Sequence, residues 1–188
     1  ESIWGAYKRP EDEFLMDEWQ REAAMALVNQ DKSISIRSGH GVGKSTLLAW
    51  IVIWWLITKD EPRIPCTAPT GHQLNDVLWG EIAKWHKRLP PMLIKELEIK
   101  AERVTAIRNP REYYATARTA RKEQPEALQG YHSGNLLFLC DEASGIDDII
   151  FELGEGSMST KGARTILTGN PTRTSGYFCD THNRLRTL

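Results

Sequence analysis

A glycine-rich loop between a strand-like segment and an apolar helical segment constrains the fold of this chain most. The loop reads Ser38-Gly39-His40-Gly41-Val42-Gly43-Lys44-Ser45. Ser33 to Arg37 precedes it as a strand candidate, and Thr46 to Ile57 follows it as a run that is apolar on all sides. A strand, a glycine turn and a helix in that order aim backbone N–H groups and the positive end of a helix at one point. The segment therefore predicts a phosphate-binding loop.

The loop follows the G-x-x-x-x-G-K-S/T pattern, known as Walker A, except that Ser38 stands in place of the first glycine. A residue with a Cβ fits there if its φ is negative, because the later glycines keep the loop free to turn. In this pattern Lys44 reaches the β- and γ-phosphates, and the Ser45 hydroxyl binds Mg²⁺. We therefore expect ATP and Mg²⁺ to bind at the loop and at Thr46.

An acidic pair, Asp141 and Glu142, ends a second apolar strand candidate, Leu136 to Cys140. Asp141 is expected at the carboxyl edge of a parallel sheet, where open α/β sheets bind ligands, as a second Mg²⁺ ligand of the Walker B kind. Glu142 is the candidate catalytic residue that polarises the attacking water. The adjacent glutamate, and 97 positions between Lys44 and Asp141, indicate a RecA-like ATPase. The alternative is an acidic pair that only caps a helix.

A third motif, Thr168-Gly169-Asn170-Pro171-Thr172, follows another apolar strand candidate, Arg164 to Thr168. Polar groups at the end of such a strand can contact the γ-phosphate or its water and transmit the state of hydrolysis. A plain turn initiated by Asn-Pro is the alternative reading of the same residues.

The remaining pattern predicts one α/β domain. The chain has 188 residues, of which 40% are hydrophobic and 26% charged, as in an ordinary soluble domain. Arg63 to Ala68 is a strand candidate, His72 to Arg88 has helical periodicity, and Leu97 to Ala117 divides into short β-rich stretches. We expect a P-loop fold of the RecA-like type with a mostly parallel central sheet, flanking helices and a small β-rich insertion at about 97–117.

A single ATPase domain is expected over residues 1–188, with a helical segment at 1–32 and the P-loop core at 33–176. The longest apolar run has 11 residues, too few to cross a bilayer, so no membrane partner is expected. Cys66, Cys140 and Cys179 suit reduced thiols in a cytosolic compartment. Because the chain starts without Met, we expect it to be a fragment of a longer protein.

Together the three motifs resemble those of the ATPase domain of phage terminase large subunits, the motors that package viral DNA. Shorter matches lie before the loop, after the second strand candidate and before the acidic strand: Trp19-Gln20, Thr67-Ala68-Pro69-Thr70 and Glu126-Ala127-Leu128-Gln129-Gly130. The resemblance spans about Asp17 to Gly176 and is specific as a combination. It implies an ATP-hydrolysing motor that drives double-stranded DNA into a procapsid.

The resemblance also implies roles for single residues. Gln20 would read the adenine edge, since an amide can donate and accept hydrogen bonds at once; an exposed helical glutamine is the other reading. Thr168, Gly169 and Asn170 would couple hydrolysis to DNA movement. Motors of this family work as rings in which one subunit lends an arginine to its neighbour's ATP. The candidates for this arginine are Arg118, Arg121 and Arg173.

Partners and location follow from the same resemblance. The expected partners are double-stranded DNA, further copies of the subunit in a ring, the portal protein and the small terminase subunit. The expected location is the cytoplasm of an infected or prophage-carrying bacterial host, docked on the procapsid. The family's C-terminal nuclease has no counterpart in this sequence, so we expect ATP hydrolysis without DNA cleavage.

Charge is unevenly distributed along the chain. The formal net charge is -1, but residues 84–122 contain eleven Lys and Arg against four Glu. This excess is a candidate surface for tracking DNA phosphates, with Lys84, Lys87 and Arg88 as possible contacts. An ordinary mixed-charge surface is the other reading.

Two further functions remain open at this point. The run Asp141-Glu142-Ala143-Ser144 and the stretch Ala68-Pro69-Thr70 have counterparts in helicases, which favours a helicase-like nucleic-acid translocase as an alternative. Helicases of that kind need a second RecA-like domain. A slow, nucleotide-controlled DNA-binding module is the second alternative, and the presence of Glu142 argues against it.

Overall fold

A computed structural model of the chain describes residues 16–29, 31–119, 130–157 and 160–186. Within these ranges the strands are β1 (Ser33–Arg37), β2 (Pro62–Thr67), β3 (Leu97–Lys100), β4 (Arg103–Ala106), β5 (Tyr114–Ala117), β6 (Asn135–Cys140) and β7 (Arg164–Gly169). The α-helices are α1 (Glu18–Val28), α2 (Lys44–Thr58), α3 (Trp79–His86), α4 (Pro91–Ile94), α5 (Asp148–Ser157) and α6 (Tyr177–Thr181). A π-helical segment, Gln73–Leu78, precedes α3, and a 3₁₀ turn, Ala143–Gly145, follows β6.

The strands form one sheet in the order β1-β7-β6-β2-β5-β4-β3. From β1 to β5 all neighbours in this order are parallel, whereas β4 and β3 are added in antiparallel fashion. The loop after β1 and the acidic end of β6 therefore open at the same edge, with the end of β7 between them. The predicted RecA-like P-loop fold with a mostly parallel sheet is confirmed.

The β-rich stretch predicted at about 97–117 belongs to this same sheet. β5 pairs in parallel with β2, and β4 and β3 extend the sheet beyond it. Val104, Ala106, Ala115 and Ala117 are buried on one face. The alternation of these small apolar residues with polar neighbours is the period-2 pattern of a sheet with two different faces.

Helix α2 lies in the centre of the core, which explains why its sequence is apolar on all sides. Leu47, Leu48, Val52, Ile53 and Leu56 are all fully buried. Each such side chain contributes about 1.5–3 kcal/mol by leaving water. No helix in the described part of the chain is both long and apolar enough to cross a membrane.

The helices around α2 differ in detail from the sequence pattern. The helix predicted over His72 to Arg88 is divided into the π-helical segment and α3. Such π-helical turns are rare and frequently occur at functional sites. Of the predicted N-terminal helical segment, α1 is described, whereas residues 1–15 and 30 lie outside the described residues. Helix α1 contacts the core through Gln20, Ala23 and Leu27.

The three cysteines should react with thiol reagents at very different rates. Burial raises the pKa of the Cys66 and Cys140 thiols, with a smaller contribution from nearby charge, so both stay protonated and inert at neutral pH. Cys179 is partly exposed. We expect N-ethylmaleimide to label Cys179 alone in the native protein, as read by intact-mass spectrometry. In guanidinium all three should react, and labelling of Cys66 or Cys140 at the rate of Cys179 would contradict the buried placement.

Candidate nucleotide-binding site

Two glycines of the loop have a backbone conformation that other residues rarely adopt. The φ angle is 73° at Gly41 and 86° at Gly43, where the first turn of α2 begins. A Cβ at Gly43 would also lie 2.8 Å from the side-chain nitrogen of Gln20. Ser38 is not among the residues with positive φ, so the replacement of the first glycine needs no strained backbone.

The side chain of Lys44 lies folded across the loop. Its Nζ donates to the carbonyl oxygen of Gly39 at 2.7 Å and to Oδ1 of Asn170 at 3.0 Å, and it lies 3.9 Å from Oε1 of Glu142. Only 6% of this residue is exposed. A buried ammonium needs such partners, because an unpaired charge in the interior is costly. The cation is therefore held where a phosphate would enter the loop.

Asp141 is 2% exposed and is surrounded by donors. The Ser45 hydroxyl donates to its Oδ2 at 2.9 Å, and the Thr168 hydroxyl donates to its Oδ1 at 2.8 Å. The backbone N–H of Glu142 donates to Oδ1 at 3.0 Å. The sheet thus joins a hydroxyl and a carboxylate from two distant parts of the sequence. Hydroxyl and carboxylate oxygens are the hard ligands that Mg²⁺ prefers, so the pair fits this ion.

Glu142 has a strained backbone. Its φ of 50° and ψ of 45° are left-handed, a region that costs a residue with a Cβ about 1–3 kcal/mol. Its carboxylate accepts a long hydrogen bond, 3.4 Å, from the backbone N–H of Asn170. Strain of this kind persists only where the surroundings impose it, and it is common at active sites.

The third motif contacts both of the others. Asn170 accepts from Lys44 through Oδ1, which fixes the orientation of its amide. Its Nδ2 therefore faces His40, at 2.7 Å from Nε2 and 2.9 Å from Nδ1 of the ring. Thr168 contacts Asp141 from the same strand end. The residues after β7 thus connect the loop to the acidic pair, which goes beyond a plain turn.

Gln20 lies behind the loop and is 4% exposed, which excludes the reading as an exposed helical glutamine. Its Oε1 accepts from the backbone N–H of Asp17 at 3.0 Å, as part of the N-terminal cap of α1. Its Nε2 donates to the carbonyl oxygen of Gly43 at 3.3 Å. Recognition of adenine by Gln20 stays a prediction.

Comparison with known proteins agrees with this geometry. No family model matches the chain. A probable terminase large subunit from Enterobacteria phage P7 is 32% identical over 171 residues, covering 89% of this chain and 35% of that protein. The predicted resemblance to terminase large subunits is confirmed. The chain spans about a third of this relative.

Solved large terminases share the fold. The ATPase domain of the Thermus phage P74-26 large terminase has a TM-score of 0.65 at 16% identity, covering 92% of this chain and 73% of that domain. The large terminase of a second thermophilic bacteriophage, solved in complex with ADP, has a TM-score of 0.69 at 16% identity, covering 92% of this chain and 43% of that protein. At this identity the likeness shows that the terminase ATPase fold is shared.

In this terminase fold a cavity of about 760 Å³ opens at the motif-bearing edge of the sheet. One wall consists of the loop, the acidic pair and Asn170. The other wall includes Thr70, Gln73, Val77 and Glu81, from the π-helical segment and its flanks. Sequence analysis missed this second wall, because its residues belong to no motif and read as an ordinary amphipathic helix.

The predicted basic residues are spread over the surface. Arg118 is exposed and lies 3.6 Å from a carboxylate oxygen of Glu102, and Arg173 is exposed after the third motif. Arg121 lies outside the described residues, as do residues 126–129 of one matching stretch. No observation here selects the arginine that would act on a neighbour.

The three candidate DNA contacts lie together at the end of α3 and just beyond it, and all are exposed. Lys84 donates to Oε1 of Glu81 at 2.8 Å. The guanidinium of Arg88 lies 4.8 Å from the ring centroid of Trp85. Part of this positive charge is therefore engaged within the chain.

The strain at Glu142 should be measurable as stability. Glu142→Ala removes the carboxylate and keeps the strained Cβ, whereas Glu142→Gly removes both. We expect the glycine variant to have the larger free energy of unfolding, by about 1 kcal/mol, in urea denaturation. The same pair of substitutions at Glu22, exposed within α1, should give the opposite order. The same order at both positions would argue against strain at Glu142.

Proposed function

We propose that this chain is the ATP-hydrolysing motor part of a terminase large subunit and drives double-stranded DNA into a procapsid. The observation that carries the proposal is the meeting of three motifs at one sheet edge, where Lys44, Asp141, Glu142 and Asn170 contact one another directly or through shared partners. The relative named as a probable terminase large subunit and the solved ATPase domains support it.

Lys44 supplies the binding step in this proposal. Its ammonium bonds to two oxygens that carry no full charge, the carbonyl of Gly39 and the amide of Asn170. The β- and γ-phosphates of ATP are stronger partners for a cation, so the side chain turns to them as the nucleotide enters. The fold shared with the terminase that was solved with ADP supports nucleotide binding at this loop.

Ser45 and Asp141 are the residues that would hold Mg²⁺, since their oxygens already lie 2.9 Å apart and belong to the same cavity. When bound, the ion neutralises charge that develops on the phosphates. Thr168 keeps the Asp141 carboxylate oriented by donating to its other oxygen.

Glu142 orients the attacking water and draws its proton. Its carboxylate reaches the cavity and lies close to Lys44, hence close to the position proposed for the γ-phosphate. Asn170 contacts Lys44 with its side chain and Glu142 with its backbone N–H. Loss of the γ-phosphate would therefore be felt at Asn170, which makes Thr168, Gly169 and Asn170 the proposed coupling motif.

Assembly completes the proposed motor. Copies of the subunit form a ring in which Arg118, Arg121 or Arg173 reaches the neighbouring nucleotide, with the portal protein and the small terminase subunit as further partners. The motor works in the cytoplasm of the bacterial host, on the procapsid, and this chain hydrolyses ATP without cutting DNA. Linear DNA should stay intact after incubation with the chain, ATP and Mg²⁺, as judged on a gel.

Steady-state ATP hydrolysis, measured at high protein concentration with and without linear double-stranded DNA, tests the motor. We expect DNA to stimulate turnover. Glu142→Gln should lower kcat at least about 100-fold while ATP still binds, because it removes the general base and leaves Lys44 in place. Turnover that DNA does not stimulate would argue against a DNA motor, and an unaffected Glu142→Gln variant would remove Glu142 from the chemistry.

The basic end of α3 is the proposed DNA contact. Replacing Lys87 and Arg88 by Glu should weaken DNA binding and reduce the slope of log affinity against log salt by about 2, because two phosphate contacts are lost. Lys84 is left unchanged since it is paired with Glu81 at the cavity. Glu at Arg21 and Lys32, which are exposed elsewhere, makes the same change in net charge as a control. An unchanged salt slope would exclude this surface from the DNA path.

A further inference from the structure

Glu81 lies on α3, in the wall of the cavity that faces the loop, and belongs to no sequence motif. Its carboxylate is 23% exposed and accepts three hydrogen bonds. The donors are the hydroxyl of Thr46 at 2.9 Å, the indole N–H of Trp85 at 2.9 Å and the ammonium of Lys84 at 2.8 Å. A surface ion pair with Lys84 alone would contribute little. The bond to Thr46 is different, because it joins α3 to the first turn of α2.

The charge of this carboxylate is stabilised in place. Burial by itself would raise the pKa of Glu81, but the hydrogen bonds from Lys84, Thr46 and Trp85 together outweigh burial and lower the pKa. Glu81 is therefore ionised at neutral pH. Two of its donors reach one oxygen, Oε2, so that this atom is fixed from two directions.

Helix α2 is held at two points by the same unit of α3. Thr46, next to the proposed Mg²⁺ ligand Ser45, donates to Glu81. One turn further along α2, the ring of Trp50 packs edge-on against Trp85, with centroids 5.0 Å apart. Since Trp85 also donates to Glu81, the carboxylate connects both contacts. The orientation of the first turn of α2 thus depends on a residue of the opposite cavity wall.

We propose that Glu81 is a positioning residue of the nucleotide site, which holds the first turn of α2, with Ser45 and Thr46, in the orientation that the phosphates of the nucleotide require. The inference rests on the proposed function and adds a residue to the same site. Glu81 acts through Thr46 and need not touch the nucleotide.

Two substitutions separate hydrogen bonding from charge. Glu81→Gln keeps a carbonyl oxygen that can accept from Thr46 and Trp85 but removes the charge, whereas Glu81→Ala removes every acceptor. Glu98 offers a matched control, because it forms an exposed ion pair with Lys100 at 3.0 Å and does not line the cavity. Glu98→Ala and Glu98→Gln should leave nucleotide binding unchanged.

The test is the affinity for MgADP, measured by isothermal titration calorimetry on the whole chain, together with KM and kcat for ATP. Glu81→Ala should weaken MgADP binding about tenfold and raise KM more than it lowers kcat, since it disturbs binding geometry and leaves Glu142 in place. Glu81→Gln should restore affinity to within about threefold of the wild type. In a Thr46→Val background Glu81→Ala should have no further effect, because the bond it removes is already gone.

Each outcome bears on the inference. Wild-type affinity in Glu81→Ala, or a Glu81→Gln variant as weak as Glu81→Ala, would overturn it while leaving the proposed function intact. An undiminished effect of Glu81→Ala in the Thr46→Val background would also overturn it. A wild-type chain that binds no MgADP would overturn the proposed function and this inference together. Thermal unfolding of each variant shows whether it folds, and Glu81→Gln keeps the test valid if Glu81→Ala does not.

Discussion

Parallel pairing of β7 with β1 on one side and β6 on the other is the constraint on which the site depends. Arg37 lies opposite Gly169, and Cys140 lies opposite Leu167, so three strands end at nearly the same level. The loop, the acidic pair and the third motif come from positions up to 126 residues apart in sequence. Because the strands are parallel and in this register, their following residues have no other edge at which to lie.

The polar groups gathered at this edge satisfy one another. A buried ammonium or carboxylate is costly unless it is paired and hydrogen-bonded. Lys44 has Gly39 and Asn170 as partners, and Asp141 has two hydroxyl groups and a backbone N–H. The nucleotide site is thus also a structural feature, in which an entering phosphate would replace existing partners. At Glu142 the arrangement opposes local stability, because the backbone there is strained.

Sequence patterns predicted elements better than contacts. The strand Ser33–Arg37 and the three motifs were predicted where the structure has them, because a strand, a glycine turn and an apolar helix leave a strong local pattern. The sheet order and the π-helical segment were not, since both depend on packing between distant parts of the chain. Glu81 was missed for the same reason: its partner Thr46 is 35 positions away, and nothing local marks the pair.

Gln20 shows how a structural and a functional reading of one residue can both be tenable. Its oxygen belongs to the cap of α1, and its nitrogen reaches the carbonyl of Gly43. Gly43 therefore needs to be glycine for two reasons, its positive φ and the absence of space for a Cβ beside Gln20. An amide with two donor hydrogens and two acceptor lone pairs keeps capacity for a ligand after these bonds. Helix α1 is thus joined to the phosphate-binding loop itself, so a nucleotide that shifts Gly43 would act on α1 through this single side chain.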